Sequence, residues 1–549
     1  MTATFLALLT CIALSSQSEG VSFRQEAVVS VCPIASKEGA AILRRGGNAV
    51  DAAITTALVL AVTHPAAGNI GGGGFMLVDG PGREPEVIDY RETAPGAASL
   101  RMFQPGDGGR TAKASGVPGT VAGLAMSHRR HGSLPWRDLV EPAVRVARDG
   151  FVSYKPLVDS LNSVLASVSP NSAFQKAYGK PGGGKWVTGD TMVFADLANT
   201  LKAIAQEGEA GFYSGGVARA IVSEMQRSGG LISLEDLAGY RAIVREPIKI
   251  QYKQHEILAL PPPSSGGACL ALILGMADEE GLEKNPRDSV VALHLLAESM
   301  RRAFRERARH LGDPAFAPIP GFLFEREYAR GLAKGINRAQ ATPSIDLAGD
   351  IPVVLETEHT THFSVADAKG MVVSNTYTLE DSYGSRVVVA GAGFILNNEM
   401  QDFNWFPGKT DTKGRIGTSA NLISPGKRML SSQCPVIVRR DGKAVGVSGS
   451  PGGRTIPSTV AQVLINKLAY GMTIEDAVAH PRLHHGWFPD EIRFEKSADP
   501  RWADTVEALR RLGHKVTGRS QGDAHSLWRE GGGWRAGIDR RIAGGASGQ

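Results

Sequence analysis

Glycine sets the first limit on what this chain can fold into, because 66 of its 549 residues are glycine and they fall in short clusters with no collagen period. A residue without a Cβ reaches backbone conformations closed to the others, so such clusters mark tight turns and places where backbone lies close to a ligand. The pattern predicts many strands joined by short turns. Hydrophobic residues at 42% and charged residues at 21% give an ordinary globular balance, which predicts a large packed core and excludes extensive disorder. The length admits either several domains or one large catalytic unit.

Charge excludes other classes. A net charge of +5 from 60 basic and 55 acidic residues is small for this length and does not argue for nucleic acid. The densest basic run, Met300-Arg301-Arg302-Ala303-Phe304-Arg305-Glu306-Arg307-Ala308-Arg309, has helical character and no interleaved aromatic platforms, so it reads as a solvated helix face. The cysteines, Cys11, Cys32, Cys269 and Cys434, show no CxxC spacing, so neither a metal site nor a disulfide framework is expected. No cofactor is expected either. His480, His484 and His485 lie near Pro481 without a matched acidic ligand, which argues against a metal there. Gly179 to Trp186 nearly forms a phosphate loop, but Trp186 replaces the magnesium-binding hydroxyl and the segment reads as an exposed turn. Gly446-Val447-Ser448-Gly449-Ser450 misses the serine-hydrolase elbow by its last glycine.

Residues 5–14 form an apolar run too short to span a bilayer, followed by Ser15, Ser16 and Ser18. This predicts a signal peptide over residues 1–20 and a periplasmic or secreted protein, although no basic residue precedes the run. Residues 49–63 are apolar but interrupted by Asp51, Thr55 and Thr56, so they predict a buried helix and no membrane span is expected. Residues 34–45 carry apolar positions at helical spacing, with Asn48 as a cap for the helix that follows. Strands are expected at 75–78 and 86–90, mainly helices from 120 to 308, and strands again at 361–367, 371–378, 435–439 and 444–447.

The sharpest signal is four segments in order. They are Glu358-His359-Thr360-Thr361-His362-Phe363-Ser364-Val365, then Thr376-Tyr377-Thr378-Leu379-Glu380, then Leu396-Asn397-Asn398-Glu399-Met400-Gln401-Asp402-Phe403, and finally Leu430-Ser431-Ser432 with Gly449-Ser450-Pro451-Gly452-Gly453. This series closely resembles the γ-glutamyltransferase family. Asn69-Ile70-Gly71-Gly72-Gly73-Gly74-Phe75-Met76, Arg91-Glu92-Thr93-Ala94-Pro95 and Pro261-Pro262-Pro263-Ser264-Ser265-Gly266-Gly267 are similar to further family signatures, so the resemblance runs from about residue 28 to the C-terminus.

The resemblance implies an α+β fold of the N-terminal-nucleophile hydrolase type, a four-layer αββα sandwich built from two interlocked subunits. It implies a zymogen cut between His359 and Thr360, giving a large subunit over residues 21–359 and a small catalytic subunit over 360–549. An intact threonine hydroxyl is a poor nucleophile at neutral pH, but a released α-amino group has a reference pKa of about 8 and sits beside the hydroxyl as a base. The Thr-Thr-His segment taken alone would signify only β-propensity; the flanking motifs give it chemistry. By the same resemblance, Thr378 contacts the nucleophile, and Gly452 and Gly453 supply oxyanion amides. Arg91, Ser431 and Ser432 hold a donor α-carboxylate, while Glu380, Glu399 and Asp402 accept its ammonium.

Two departures stand out. Glu380 replaces an asparagine common among relatives, which strengthens ammonium binding. Residues 404–428 match the lid loop, but Lys413 falls about where several relatives carry an aromatic residue, so the balance of hydrolysis and transfer stays open. The expected partners are glutathione and other γ-glutamyl compounds, with water, amino acids or dipeptides as acceptors. The alternatives are a cephalosporin or glutaryl acylase of the same fold and a non-catalytic γ-glutamyl-binding homologue. Intact Arg91, Thr360, Thr378, Gly452 and Gly453 argue against the binder.

Overall fold

The computed structural model describes residues 20–349, 360–413 and 416–549. The signal-peptide expectation, apart from Gly20, and His359 lie outside the described residues. Two seven-stranded sheets, each antiparallel throughout, form the centre. One runs in the order Gly545–Gly548, Ala27–Ser30, Thr361–Ala366, Val372–Thr378, Gly73–Asp79, Glu86–Asp89, Ile243–Arg245; the other runs Val21–Phe23, Gly533–Ile538, His525–Glu530, Lys443–Ser448, Val436–Arg440, His255–Ala259, Ile248–Tyr252. Each sheet mixes strands from before and after residue 360. The expected cut therefore falls inside one interlocked core, not between domains.

Period-2 alternation builds the layers. Ala27, Val29, Phe75, Leu77, Ile437 and Val447 face the opposing sheet, while their neighbours Val28, Met76 and Val78 pack under one helical layer and Val436 and Val438 under the other. The first helical layer includes Pro33–Arg44 and Ala49–Thr63, and the second includes Gly266–Glu279, Val290–His310 and Ile456–Leu468. The result is an αββα sandwich. All of Ala49–Thr63 is buried, and Asn48 caps it by accepting from the backbone of Val50 and Asp51 while its own N–H donates to Asp51, as the sequence predicts.

The glycine clusters do what their composition implies at Gly71 to Gly74. A Cβ on Gly72 would stand 2.0 Å from the Thr378 carbonyl oxygen, and one on Gly74 2.4 Å from that of Thr376, so the strand carrying Thr378 closes onto bare backbone.

Three expectations are corrected. The stretch read as mainly helical holds the strands Ile243–Arg245, Ile248–Tyr252 and His255–Ala259, each too short to register against the helical pattern around it. The part after 360 also contains helices, among them Ile456–Leu468 and Ala503–Arg511. The basic run 300–309 is not a solvated face: Arg301, Arg302, Glu306 and Arg307 are buried, with Arg301 and Arg302 paired to the buried Glu298. Glu298 lies on the same helix, but the other partners, Asp490, Ser344, Thr342, Ser265 and Ser432, are distant in the chain and leave no local pattern in the sequence.

Candidate active site

Thr360 stands at the head of strand Thr361–Ala366 and is half-buried. Thr378 ends the neighbouring strand Val372–Thr378, and the register pairs Thr361 with Tyr377, which brings the two ends together. Asn69 fixes the second strand end, its amide donating to the Thr378 carbonyl at 2.8 Å while its oxygen accepts from Gly72 N–H. Just beyond, Glu380 takes a positive φ of 75° and donates its backbone N–H to Thr378 Oγ1 at 2.8 Å. This left-handed turn bends Glu380 into the cleft lined by Thr360, Thr378, Arg91, Asp402, Ser431, Ser432 and Gly453. Gly452 precedes Gly453 with φ of 125°, a conformation that favours glycine. The two open the turn that leads into helix Ile456–Leu468.

Arg91 follows strand Glu86–Asp89 and is buried. Its Nη1 lies 2.6 Å from Glu399 Oε2 and 3.4 Å from Glu92 Oε2, its Nη2 meets Asp402, and its Nε donates to the Met429 carbonyl at 3.3 Å. Burial works against its charge, but Glu399, Asp402, Glu92 and Glu380 together outweigh burial and raise its pKa above the ordinary arginine value. The carboxyls respond in turn. Burial pushes Glu92 up to about 8 against the lowering pull of Arg91, and it raises Glu399 in the same way, with Glu92 adding to the shift. Among the described residues Glu380, Glu399 and Asp402 bring ligand oxygens within 4.8 Å of one another. With Arg91 engaged by Asp402 and Glu399, only about 10 Å³ of open space remains in the cleft.

Ser431 and Ser432 are braced from the proline-serine segment. Ser265 N–H and Oγ both donate to the Ser431 carbonyl at 2.7 Å, and Ser431 N–H donates to the Pro263 carbonyl at 2.8 Å. Arg307 donates to Ser265 Oγ and Ser432 Oγ, each at 3.0 Å. Sequence reasoning missed Arg307, because its run read as surface, and Glu92, although Glu92 stands inside a quoted motif. The structure brings the ten expected substrate-facing residues around one place: nine line the cleft or adjoin a residue that does, and Glu399 sits behind Arg91.

The loop expected as a lid is pinned. Trp405 stacks on Phe103 with centroids 3.8 Å apart, and Thr418 Oγ1 donates to the Ala308 carbonyl at 2.7 Å. Lys413 is exposed; the loop's aromatic residues are instead Trp405 and Phe406, which wall a cavity of about 350 Å³ beside the cleft with Gln401, Ala308 and Leu311.

The histidines considered as ligands are dispersed. His484 bonds Ser458 and His480 bonds Asp288. His294, Glu298 and His514 do cluster, but the imidazole nitrogens are spent on each other, on the Asn337 carbonyl and on Arg301. Cys32, Cys269 and Cys434 are buried free thiols.

An αββα sandwich with a threonine heading a central strand, beside a hydroxyl partner and a glycine turn, is the architecture of the N-terminal-nucleophile hydrolases. Within that class the chain belongs to the gamma-glutamyltranspeptidase family, whose model matches residues 35–549. It is 41% identical over 504 residues to the glutathione hydrolase proenzyme of Escherichia coli strain K12, covering 90% of this chain and 86% of that protein. The gamma-glutamyltranspeptidase of Helicobacter pylori superposes with a TM-score of 0.55 at 35% identity, over 60% of this chain and 95% of that one. A cephalosporin acylase from Bacillus halodurans superposes over 100% of this chain and 99% of its own with a TM-score of 0.84 at 25% identity.

Proposed function

We propose that this protein is a self-cleaving γ-glutamyl hydrolase and transferase acting on glutathione and related γ-glutamyl compounds. The observation that carries this reading is one cleft in which a threonine at the head of a strand faces a buried arginine and the carboxylates of Glu380 and Asp402, with Glu399 behind the arginine. A γ-glutamyl group is a carboxylate and an ammonium on one carbon, with an amide two methylenes away. The cleft offers a cation, anions and a nucleophile for those three parts. The glutathione hydrolase name of the E. coli relative supports the substrate class.

In maturation, the Thr360 hydroxyl attacks the carbonyl of residue 359, the acyl group moves from nitrogen to oxygen, and water hydrolyses the ester. Residues 21–359 and 360–549 then form a heterodimer. In turnover, the freed α-amino group of Thr360 takes the hydroxyl proton as Oγ1 bonds the carbonyl carbon of the donor's γ-amide. Thr378 orients that hydroxyl, and the Gly452 and Gly453 amides hold the oxyanion. The C–N bond breaks as the ammonium returns its proton to the departing amine, leaving a γ-glutamyl-threonine ester. Water, an amino acid or a dipeptide amine then attacks the ester and regenerates the hydroxyl. Arg91 with Ser431 and Ser432 binds the donor carboxylate, and Glu380, Glu399 and Asp402 bind its ammonium. Residues 1–20 serve as an export signal to the periplasm or outside the cell. Among the described residues no helix is long and apolar enough to cross a membrane.

The second reading, an acylase, is favoured by the likeness to the cephalosporin acylase structure. A glutaryl group keeps the carboxylate and lacks the ammonium, so it would leave Glu380, Glu399 and Asp402 repelling one another with no cation between them. Paired anilides decide: γ-glutamyl p-nitroanilide is cleaved far faster than glutaryl p-nitroanilide, and the gap narrows in Asp402→Asn. Equal rates in the unmodified protein would support the acylase.

A further inference from the structure

The layer between the two sheets changes character along its length. Part of it is hydrocarbon, with Phe75, Leu77, Ile437, Val447 and Leu527 interleaved. On strands Thr361–Ala366 and Val372–Thr378 it becomes polar and remains fully buried: His362, Ser364, Ser374 and Thr376. Burying polar side chains between sheets is costly unless each is bonded, so this replacement calls for a reason.

His362 sits at the centre of the polar part. By strand alternation it shares a face with Thr360, two residues before it. Its Nδ1 is 2.9 Å from Thr376 Oγ1, and Thr376 lies two residues before Thr378 on the same face of the next strand. Its Nε2 is 3.1 Å from Ser364 Oγ, whose own proton is committed to the His525 carbonyl at 2.8 Å. Ser364 must therefore accept from His362, which fixes the imidazole with its proton on Nε2 and leaves Nδ1 to accept from the Thr376 hydroxyl. The ring packs against Gly449, just past the end of strand Lys443–Ser448: a Cβ there would stand 2.3 Å from Cε1 and 2.4 Å from Nδ1. Gly449 is three residues before Gly452. A second tie runs parallel, with Ser374 Oγ donating to the Ser448 carbonyl at 3.0 Å.

We propose that His362 is a positioning residue that sets the spacing between the nucleophile strand, the Thr378 strand and the Gly449–Gly453 turn, so that the oxyanion amides and the Thr360 hydroxyl are held in register. It touches each of the three segments through Thr376, Gly449 or its own backbone, and it acts on substrate only through them. A neutral ring serves this purpose, since a fixed donor on one edge and a fixed acceptor on the other give one orientation. Gly449 is glycine because the ring occupies the place of its side chain. The proposal rests on the reading of Thr360 as nucleophile and of Gly452 and Gly453 as oxyanion donors.

The test compares His362→Leu, His362→Gln and Gly449→Ala by intact mass, by stopped-flow acylation with γ-glutamyl p-nitroanilide and by melting temperature. Leu527→Ala in the hydrocarbon part serves as a purely structural control. The expected result for His362→Leu is acylation slowed on the order of 10- to 100-fold with KM changed less than about threefold, because the donor-binding groups are untouched. Self-cleavage slows with it. His362→Gln, whose amide donates and accepts, recovers part of the loss, and Gly449→Ala reproduces it. Leu527→Ala loses melting temperature and keeps its acylation rate. The proposal is overturned if His362→Leu acylates at the unmodified rate, or if the losses in all variants merely follow melting temperature as in Leu527→Ala. Should His362→Leu fail to fold, His362→Gln and Gly449→Ala decide by the same two criteria. A Thr360→Ala protein that still turned over would sink the underlying reading instead, whatever the His362 variants did.

Discussion

At the scale of single residues, the account depends most on Arg91. A buried guanidinium among Glu92, Glu399 and Asp402 is already neutralised, so in the proposed donor site it offers fixed direction more than net charge. Arg91→Met should cost about 2–5 kcal/mol of transition-state binding, roughly 30-fold to a few thousand-fold in kcat/KM toward glutathione. Self-cleavage should persist, because maturation binds no donor. Steady-state kinetics on the cleaved variant check this, and an unchanged kcat/KM would remove Arg91 from the donor site. Arg91, Thr360 and Asp402 were legible in the sequence because each stands in a motif whose residue types match one chemical task. Arg307 was not. Its meaning comes from Ser265 and Ser432, far away in the chain, and a basic residue on a helix carries no local mark that says it is buried.

At the scale of elements, the glycine run that leads into strand Gly73–Asp79 is a packing device at the strand end that carries Thr378. A methyl on Gly72 would press on the Thr378 carbonyl at 2.0 Å and on Asn69 Oδ1 at 2.8 Å, the two groups that fix the strand end facing Thr360. Gly72→Ala should therefore destabilise by about 1–3 kcal/mol and lower kcat as well. Gly108→Ala, on an exposed loop with nothing within 4 Å of the new methyl, should do neither. Thermal melts and turnover on the pair measure both effects; normal turnover in Gly72→Ala would show that the strand end tolerates displacement. Element prediction from sequence worked where periodicity was long or capped, as at Asn48 and Ala49–Thr63. It failed at His255–Ala259, a five-residue strand that pairs with Ile248–Tyr252 just before it and is held in the sheet on its other side by Val436–Arg440, far along the chain. Short strands are defined by such partners, and local composition does not report them.

At the scale of the whole molecule, the parts before and after residue 360 share both sheets and a buried polar joint. In that joint Arg301, Glu298 and His294 from helix Val290–His310 meet His485, Asp490 and His514 from the later part. Burial, with Arg301 adding, lowers His485 to about 4, and burial, with His294 and Arg301 adding, lowers His514 to about 3. A histidine depressed in the folded state binds its proton first in the unfolded chain. Its contribution to stability is therefore complete above about pH 6.5 and is lost as pH falls toward 4. For His485 alone the loss is on the order of 3 kcal/mol across that window. Because the raised Glu92 and Glu399 act in the opposite direction over the same range, the contribution is read as a difference: from pH 7 to pH 4.5 the urea midpoint of His485→Gln should rise relative to that of the unmodified protein. A difference between the two proteins that did not change over that range would contradict neutral burial of the His485 ring. The sandwich itself was legible through resemblance, whereas this joint was not, since its members are spread from residue 294 to residue 514 and only the fold assembles them.

The central claim, that Thr360 becomes a nucleophile by becoming a chain terminus, is tested most directly by intact-mass spectrometry of the purified protein set beside its glutathione hydrolysis rate. The account predicts two chains divided between His359 and Thr360, with activity rising in proportion to the cleaved fraction, and a single inactive chain for Thr360→Ala. A fully active preparation that contained only the uncut chain would contradict it.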